Sequence, residues 1–366
     1  MHTRAAVVRE RGGPFLLEDV ELVEPRDDEV VVRIASAGIC HTDLGARAGY
    51  VPMPLPAVLG HEGAGIVEAV GAAVTRVRAG DHVVLSWTWC GACPACRAGD
   101  LTRCEAFFPI NIANGSRPDG SPTIRDAAGD VINGHWFAQS SFAELALAPQ
   151  RSVVKVRDDV PLDILGPLGC GILTGAGAVM NTLTPRPGSS IAIFGAGMVG
   201  MSAMLAALVC GCTTVIVVDL VQGRLDKALE LGATHVVNAA HEDPVAAIRA
   251  ITGGGPEFTL ECVGSPAVLR QAVDVLPRRG VCGLLGVTAP GTPVTLDMDL
   301  LMNARTVKGI IEGDAVPDLF IPRLLDLFVQ GRFPYDRLIE HFPFDAINDA
   351  IAAMEQGRVI KPVLRP

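Results

Sequence analysis

Ile191-Ala192-Ile193-Phe194-Gly195-Ala196-Gly197-Met198-Val199-Gly200 is the stretch from which the fold can be read. Four apolar residues run into a G-x-G-x-x-G turn, an apolar helical pattern follows, and Thr213 to Val218 reads as the next strand, closed by Asp219 nineteen residues after Gly200. That order predicts a dinucleotide-binding turn. Gly195 permits the tight bend, Gly197 lets a pyrophosphate reach the N–H groups at the helix N-terminus, where Met198 and Val199 begin the helix, and Gly200 allows close helix-to-strand packing. At the end of the second strand, Asp219 is expected to accept hydrogen bonds from ribose hydroxyls and to oppose a 2′-phosphate, which predicts NAD rather than NADP.

Outward from this turn the rhythm persists. Val215–Val218, Val236–Val237, Phe258–Glu261 and Val281–Leu285 are short apolar strands, with helical patterns at Gly223–Leu231 and Pro244–Ile251 between them. The alternation predicts a doubly wound parallel sheet. The first third is different: Ala5–Val8, Val30–Ala35, Gly65–Val70 and His82–Ser86 are brief β segments bounded by Gly and Pro, the pattern of an antiparallel β-rich domain. After Gly309 come helical stretches at Ile321–Val329 and Phe344–Gln356 and a strand at Val359–Leu364. The expected organisation is α/β, with a β-rich domain over residues 1–171 and 310–366 and a Rossmann domain over 172–309.

The chain has 366 residues, 49% of them apolar, enough for two cores. Its formal charge is -10, from 30 basic and 40 acidic residues, with no basic cluster, so neither a nucleic acid nor an anionic membrane surface is an expected partner. No charge occurs from Pro187 to Val218, but glycines interrupt that run, and it reads as buried strand and helix rather than a membrane span. With no apolar leader at Met1–Glu10, a cytoplasmic location with reduced thiols is expected.

Four of the ten cysteines form C-x2-C-x2-C-x7-C at Cys90, Cys93, Cys96 and Cys104. Four thiolates on a short Gly- and Pro-containing loop suit a closed tetrahedral zinc site; an iron-sulfur cluster is the other thiolate-rich possibility. Cys40, His61 and Cys170 are candidates for a second, open site of the Cys2His type, although spacing alone does not assemble them and each also reads as an ordinary buried residue.

Together these motifs resemble the zinc-dependent medium-chain alcohol dehydrogenases. Gly60-His61-Glu62-x-x-Gly65-x5-Gly71-x2-Val74 matches that family's zinc signature, and Cys40-His41-Thr42-Asp43, the four-cysteine lobe, Gly169-Cys170-Gly171-Ile172-Leu173-Thr174-Gly175 and the Gly195–Gly200 turn follow in its order. The resemblance implies a GroES-like β domain beside the Rossmann domain. It also implies a catalytic zinc on Cys40, His61 and Cys170 with Glu62 behind it, Asp43 orienting His61, and Thr42 taking the substrate proton. His41 and Lys361 would lie on the coenzyme pyrophosphate, Thr174, Val199 and Val287 near the nicotinamide, and Arg224 near the adenosine ribose.

One departure is Gly45, where many members carry a histidine that ends the proton relay; release through ribose hydroxyls and water is expected instead. The segments Gly134–Phe142 and Glu312–Pro317 resemble the aryl (benzyl) and allylic alcohol branch. Trp87, Trp89, Phe107, Phe108, Trp136, Phe137 and Phe142 crowd into one stretch, consistent with a broad apolar pocket or with core packing.

The resulting expectation is NAD-linked oxidation of a primary aromatic or allylic alcohol such as benzyl alcohol or geraniol. Alternatives are an S-(hydroxymethyl)glutathione (formaldehyde) or general aliphatic alcohol dehydrogenase, a metal-free quinone reductase, and a non-catalytic NAD-binding protein. The glutathione-linked branch uses an arginine in the loop after the lobe, and Phe107–Asn114 has none. The family resemblance implies a homodimer or homotetramer, with sheet edges paired near a strand at Val294–Leu296.

Overall fold

The computed structural model describes residues 1–366. The chain divides into two compact units, Met1–Cys170 with Val316–Asp326 and Ile339–Pro366, and Gly171–Ala315 with Leu327–Leu338.

In the first unit one sheet runs Ala57–Val58, His2–Val8, Phe15–Leu22, Ile124–Asp126, Val131–Ile132. The other runs Val153–Lys155, His82–Leu85, Gly63–Val70, Glu29–Gly38, Lys361–Arg365, Ile339–Pro343, with Leu145–Pro149 also paired to Glu29–Gly38. Pairing is antiparallel except between Ile339–Pro343 and Lys361–Arg365. Glu29–Gly38 is the organising strand: Val30, Val31 and Val32 are all buried, so both of its faces lie in the core, and its register against Gly63–Val70 shifts twice. Such irregularities bend a strand and re-aim the side chains that follow it, here the segment leading to Cys40.

The second unit holds a six-stranded parallel sheet in the order His235–Asn238, Thr214–Asp219, Ser190–Phe194, Phe258–Glu261, Val281–Leu284, Thr306–Gly309. Strand order reverses between Ser190–Phe194 and Phe258–Glu261, and ligands of doubly wound sheets bind at the carboxyl ends of strands beside such a reversal. The Gly195 turn leaves the sheet there, with Gly195 at φ +102°. A Cβ on Gly200 would lie 1.8 Å from the Gly195 carbonyl oxygen, so only glycine allows this approach of helix to strand.

The strands and helices named from the sequence recur to within a few residues; the strand Ile339–Pro343 was not among them, and three further differences stand out. Val294–Leu296 forms no strand; the sheet edge is Thr306–Gly309. The family resemblance had implied an edge there, but this Pro- and Gly-bounded stretch lacks a paired neighbour. The return to the first unit falls at Val316 rather than at residue 310. Gly313 presses against the helix Gly171–Gly177, where its Cβ would lie 2.6 Å from the Leu173 carbonyl oxygen, and Thr182 donates to Asp314 at 2.7 Å, holding this segment in the second unit. The helix His41–Ala48 was not anticipated, because its eight residues carry no apolar periodicity. No helix is long and apolar enough to cross a membrane.

A buried ion pair marks the first unit. Arg117 donates twice to Glu29, at 2.6 and 2.7 Å, and beside them His135 is buried. Burial, with the charges of Arg117 and Arg26 against Glu29, pushes the His135 imidazole down to about 4. The unfolded chain therefore binds a proton between about pH 6.5 and 4 that the folded chain refuses, so stability falls as the pH drops through that window. At pH 5 the loss from this residue is about 2 kcal/mol. Urea unfolding of wild type and H135Q at pH 7 and 5 checks this: the wild type should lose more stability between the two than the variant, and equal losses would count against it.

Candidate metal centres and coenzyme turn

Two clusters of metal-ligating side chains form in the first unit: Cys90, Cys93, Cys96 and Cys104, and Cys40, His61, Glu62 and Cys170, each with ligand atoms within 4.8 Å of one another. All ten cysteines are free thiols.

In the four-cysteine lobe, Cys90 Sγ and Cys96 Sγ lie 3.9 Å apart, and backbone N–H groups point at the sulfurs: Ala92 and Cys93 at Cys90 Sγ (3.4 Å each), Cys90 at Cys104 Sγ (3.3 Å). The donors from Ala92, then Cys93, bring the Cys90 thiol down to about 6, which favours the thiolate that a metal needs. Arg151 Nη1 donates to the Trp89 carbonyl at 2.7 Å, placing a cation beside this anionic lobe. A closed four-thiolate set suits structural zinc.

The second cluster is assembled from distant segments. Cys40 stands at the N-terminus of His41–Ala48, whose third residue, Asp43, accepts a hydrogen bond from Cys40 N at 3.1 Å. His61 follows the Gly60 turn, and Cys170 ends the segment Gly166–Gly169. His61 Nδ1 donates to Asp43 Oδ1 at 2.8 Å, which fixes the tautomer, and the buried Nε2 has no protein partner. An orphaned, buried imidazole nitrogen amid two cysteine sulfurs is the donor set of an open Cys2His zinc site. The neighbouring Cys170, and then His61, hold the Cys40 thiol well below its ordinary value.

Glu62 lies behind this set, and Lys361 donates to both of its oxygens, at 2.9 and 2.8 Å, and to the Ile39 carbonyl at 2.8 Å. Lys361 is only 2% exposed. Burial alone would lower its pKa, but the Glu62 carboxylate outweighs that and raises it, so the ammonium stays charged. In this structure its Nζ serves Glu62; the resemblance had put it on the coenzyme pyrophosphate. Thr42 Oγ1 sits 3.7 Å from Cys40 Sγ. His41 is exposed. At Gly45 a Cβ would meet the Tyr50 ring and the Val51 methyl at 2.8 Å, so Tyr50 occupies the space beside the position where a relay histidine would start. Tyr50 was not singled out in the sequence, because nothing local signals that its ring folds back onto Gly45.

Two aromatic side chains, Trp136 and Phe137, flank His61 of the second cluster. Phe137 stacks on the His61 ring at 4.4 Å, Trp136 packs edge-on against Phe137 at 5.1 Å, and Trp87 contacts both Trp89 (5.4 Å) and Phe107 (5.5 Å). Phe142 instead packs on Phe15 in the core, and Phe108 is 55% exposed. The dense aromatic stretch thus divides into site, core and surface.

In the second unit, a Cβ on Gly197 would find nothing within 4 Å, leaving the N-terminus of the helix Met198–Val209 open to a phosphate. The Asp219 carboxylate accepts from Ala196 N (2.7 Å) and Val221 N (2.9 Å), bracing the turn, and remains half-exposed at its strand end. Thr174 donates to Glu312 at 3.1 Å. Val199 and Arg224 are half-buried and Val287 is exposed.

Residues 26–158 match the alcohol dehydrogenase GroES-like domain family, and residues 198–330 match the zinc-binding dehydrogenase family. The chain is 48% identical over 363 residues to a geraniol dehydrogenase of Castellaniella defragrans, covering 99% of this chain and 97% of that protein. An alcohol dehydrogenase zinc-binding domain protein from Burkholderia ambifaria superposes with a TM-score of 0.97 at 52% identity, over 100% of this chain and 99% of the other. A benzyl alcohol dehydrogenase from Acinetobacter calcoaceticus superposes with a TM-score of 0.96 at 46% identity, again over 100% and 99%.

Proposed function

Because the chain belongs to the zinc-dependent medium-chain alcohol dehydrogenases, we propose that it interconverts a primary aromatic or allylic alcohol and its aldehyde with NAD, using Cys40, His61 and Cys170 as catalytic zinc ligands. The observation that carries this reading is the buried His61, with Nδ1 locked on Asp43, Nε2 free of protein partners and an aromatic ring stacked on its face. The relatives that act on geraniol and benzyl alcohol support the substrate class.

Zinc at this site supplies a Lewis acid that lowers the pKa of an alcohol and polarises a carbonyl. The remaining work belongs to side chains. Asp43 holds the His61 proton on Nδ1, keeping the Nε2 lone pair for the metal. Oxidation removes a hydride and a proton from the alcohol; the Thr42 hydroxyl, beside Cys40, would relay the proton, accepting it while passing its own on to water, and bound NAD would supply the hydride acceptor. Phe137, stacked on the His61 ring, sets an apolar face beside the ligand set that favours unsaturated substrates and excludes water. Gly195, Gly197, Gly200 and the N-terminus of Met198–Val209 would hold the coenzyme pyrophosphate, and Asp219 would take the adenosine ribose hydroxyls.

A cytoplasmic homodimer or homotetramer completes this reading. Ten cysteines with no disulfide among them suit a reducing compartment, and the sheet edge Thr306–Gly309 lies in a unit that exposes Met298 and Met302 by 83% and 82%.

NADH formation with benzyl alcohol, geraniol, ethanol and S-(hydroxymethyl)glutathione tests the substrate class. Benzyl alcohol or geraniol should lead ethanol in kcat/KM by about 100-fold, the scale set by the several methylene equivalents of extra apolar burial. Ethanol or the glutathione adduct in front would overturn it.

A further inference from the structure

We infer that Trp136 is a positioning residue of the second metal cluster, acting through Asp43 on His61; this rests on the reading of Cys40, His61 and Cys170 as the ligand set. Asp43 is fully buried, and its Oδ1 accepts from three donors: His61 Nδ1 at 2.8 Å, Trp136 Nε1 at 2.8 Å and Gly60 N at 3.1 Å. Its other oxygen accepts from Cys40 N at 3.1 Å. One carboxylate therefore ties the backbone of the first ligand to the ring of the second, and the indole N–H takes part of the charge on the oxygen that holds the imidazole proton. With all of these donors in place the buried carboxylate is held in one position, so the Nδ1 proton stays on the imidazole and Nε2 stays aimed at the two cysteines; losing the indole N–H loosens that hold.

The segment carrying Trp136 grips His61 in two further ways. Phe137 stacks on its ring at 4.4 Å with the planes 21° apart, and Gln139 accepts from Gly63 N (3.1 Å) while donating to the His61 carbonyl (3.0 Å). Ser140 Oγ accepts from Trp136 N at 2.9 Å and donates to the Val58 carbonyl at 2.7 Å, which fixes the indole's base. Phe137, Ala138 and Ser140 hold φ of +48°, +56° and +49°, a left-handed conformation unfavourable for side-chain-bearing residues. That strain delivers an indole to Asp43, a phenyl ring to the imidazole and an amide to the His61 carbonyl from one short loop, a convergence that core filling alone does not require.

Two variants separate the donor from the ring: W136F, and replacement of Trp136 by benzothienylalanine, in which sulfur stands for the N–H in a bicycle of the same shape. The measurements are zinc release to a chromogenic chelator and the ligand-field bands of the cobalt-loaded protein. The C40S chain, expected to hold only the four-cysteine zinc, gives the reference release rate of that lobe. If C40S instead keeps both ions, the ligand reading itself fails, an outcome separate from the Trp136 comparison. Both variants should release the zinc of the second cluster about 10-fold faster or more. The four-cysteine zinc should leave at the wild-type rate, and the cobalt bands should shift. Wild-type release and bands in the benzothienylalanine protein would overturn the inference, as would equal acceleration at both sites.

Discussion

Serine in place of Cys40 should leave one zinc per chain, that of the Cys90–Cys104 lobe, and lower alcohol oxidation by about 1,000-fold or more. The size follows from what the site contributes. A catalytic metal stabilises the transition state by several kcal/mol, and each 1.4 kcal/mol is about tenfold in rate. Serine is close in volume to cysteine and leaves the Cys40 N–H to Asp43 contact in place, so the helix His41–Ala48 keeps its N-terminus. What goes is a thiolate held ionised by its neighbours Cys170 and His61. Metal analysis together with NADH formation checks both halves. Two zinc ions and wild-type turnover would remove Cys40 from the site.

The second large effect is on stability. Lys361→Met should lower the melting temperature by roughly 10 °C. It strips the only ammonium from a fully buried Glu62, and breaking a buried pair from one side costs about 3–5 kcal/mol, each about 2–4 °C in a unit of this size. The doubly substituted E62Q/K361M chain should recover most of the loss, because it buries no uncompensated charge. A K361M protein that melts with the wild type would mean that the Glu62 to Lys361 contact carries no stability.

The parts of this protein that were readable in the sequence are those whose chemistry is local. Gly195 and Gly200 announce a turn because a bend and a close approach each demand glycine at one position, and the four cysteines of the lobe fall within a single loop. Residue-level reading alone left Cys40, His61 and Cys170 as separate candidates, and only the motif resemblance joined them; the structure brings their ligand atoms together. The roles of Lys361 and Trp136 were out of reach for the same reason: their partners, Glu62 and Asp43, lie 299 and 93 residues away, and no local pattern encodes such pairings. Lys361 was expected on the coenzyme pyrophosphate from the motif resemblance, because lysines rarely lie buried without a partner and its partner was invisible in the sequence. Likewise Phe142 and Phe108 looked like their aromatic neighbours, yet one fills the core against Phe15 and the other faces solvent. Val294–Leu296 was expected as an edge strand only from the family resemblance, but the last strand is fixed by pairing, which joins Thr306–Gly309 to Val281–Leu284.

Zinc-dependent alcohol oxidation at Cys40, His61 and Cys170 is tested most directly by following NADH formation from benzyl alcohol while a chelator draws zinc from the protein and the metal remaining is counted. Starting from two zinc ions per chain, activity should fall in step with the loss of the ion from this site and return when zinc is restored. Undiminished turnover after that ion has left would contradict it.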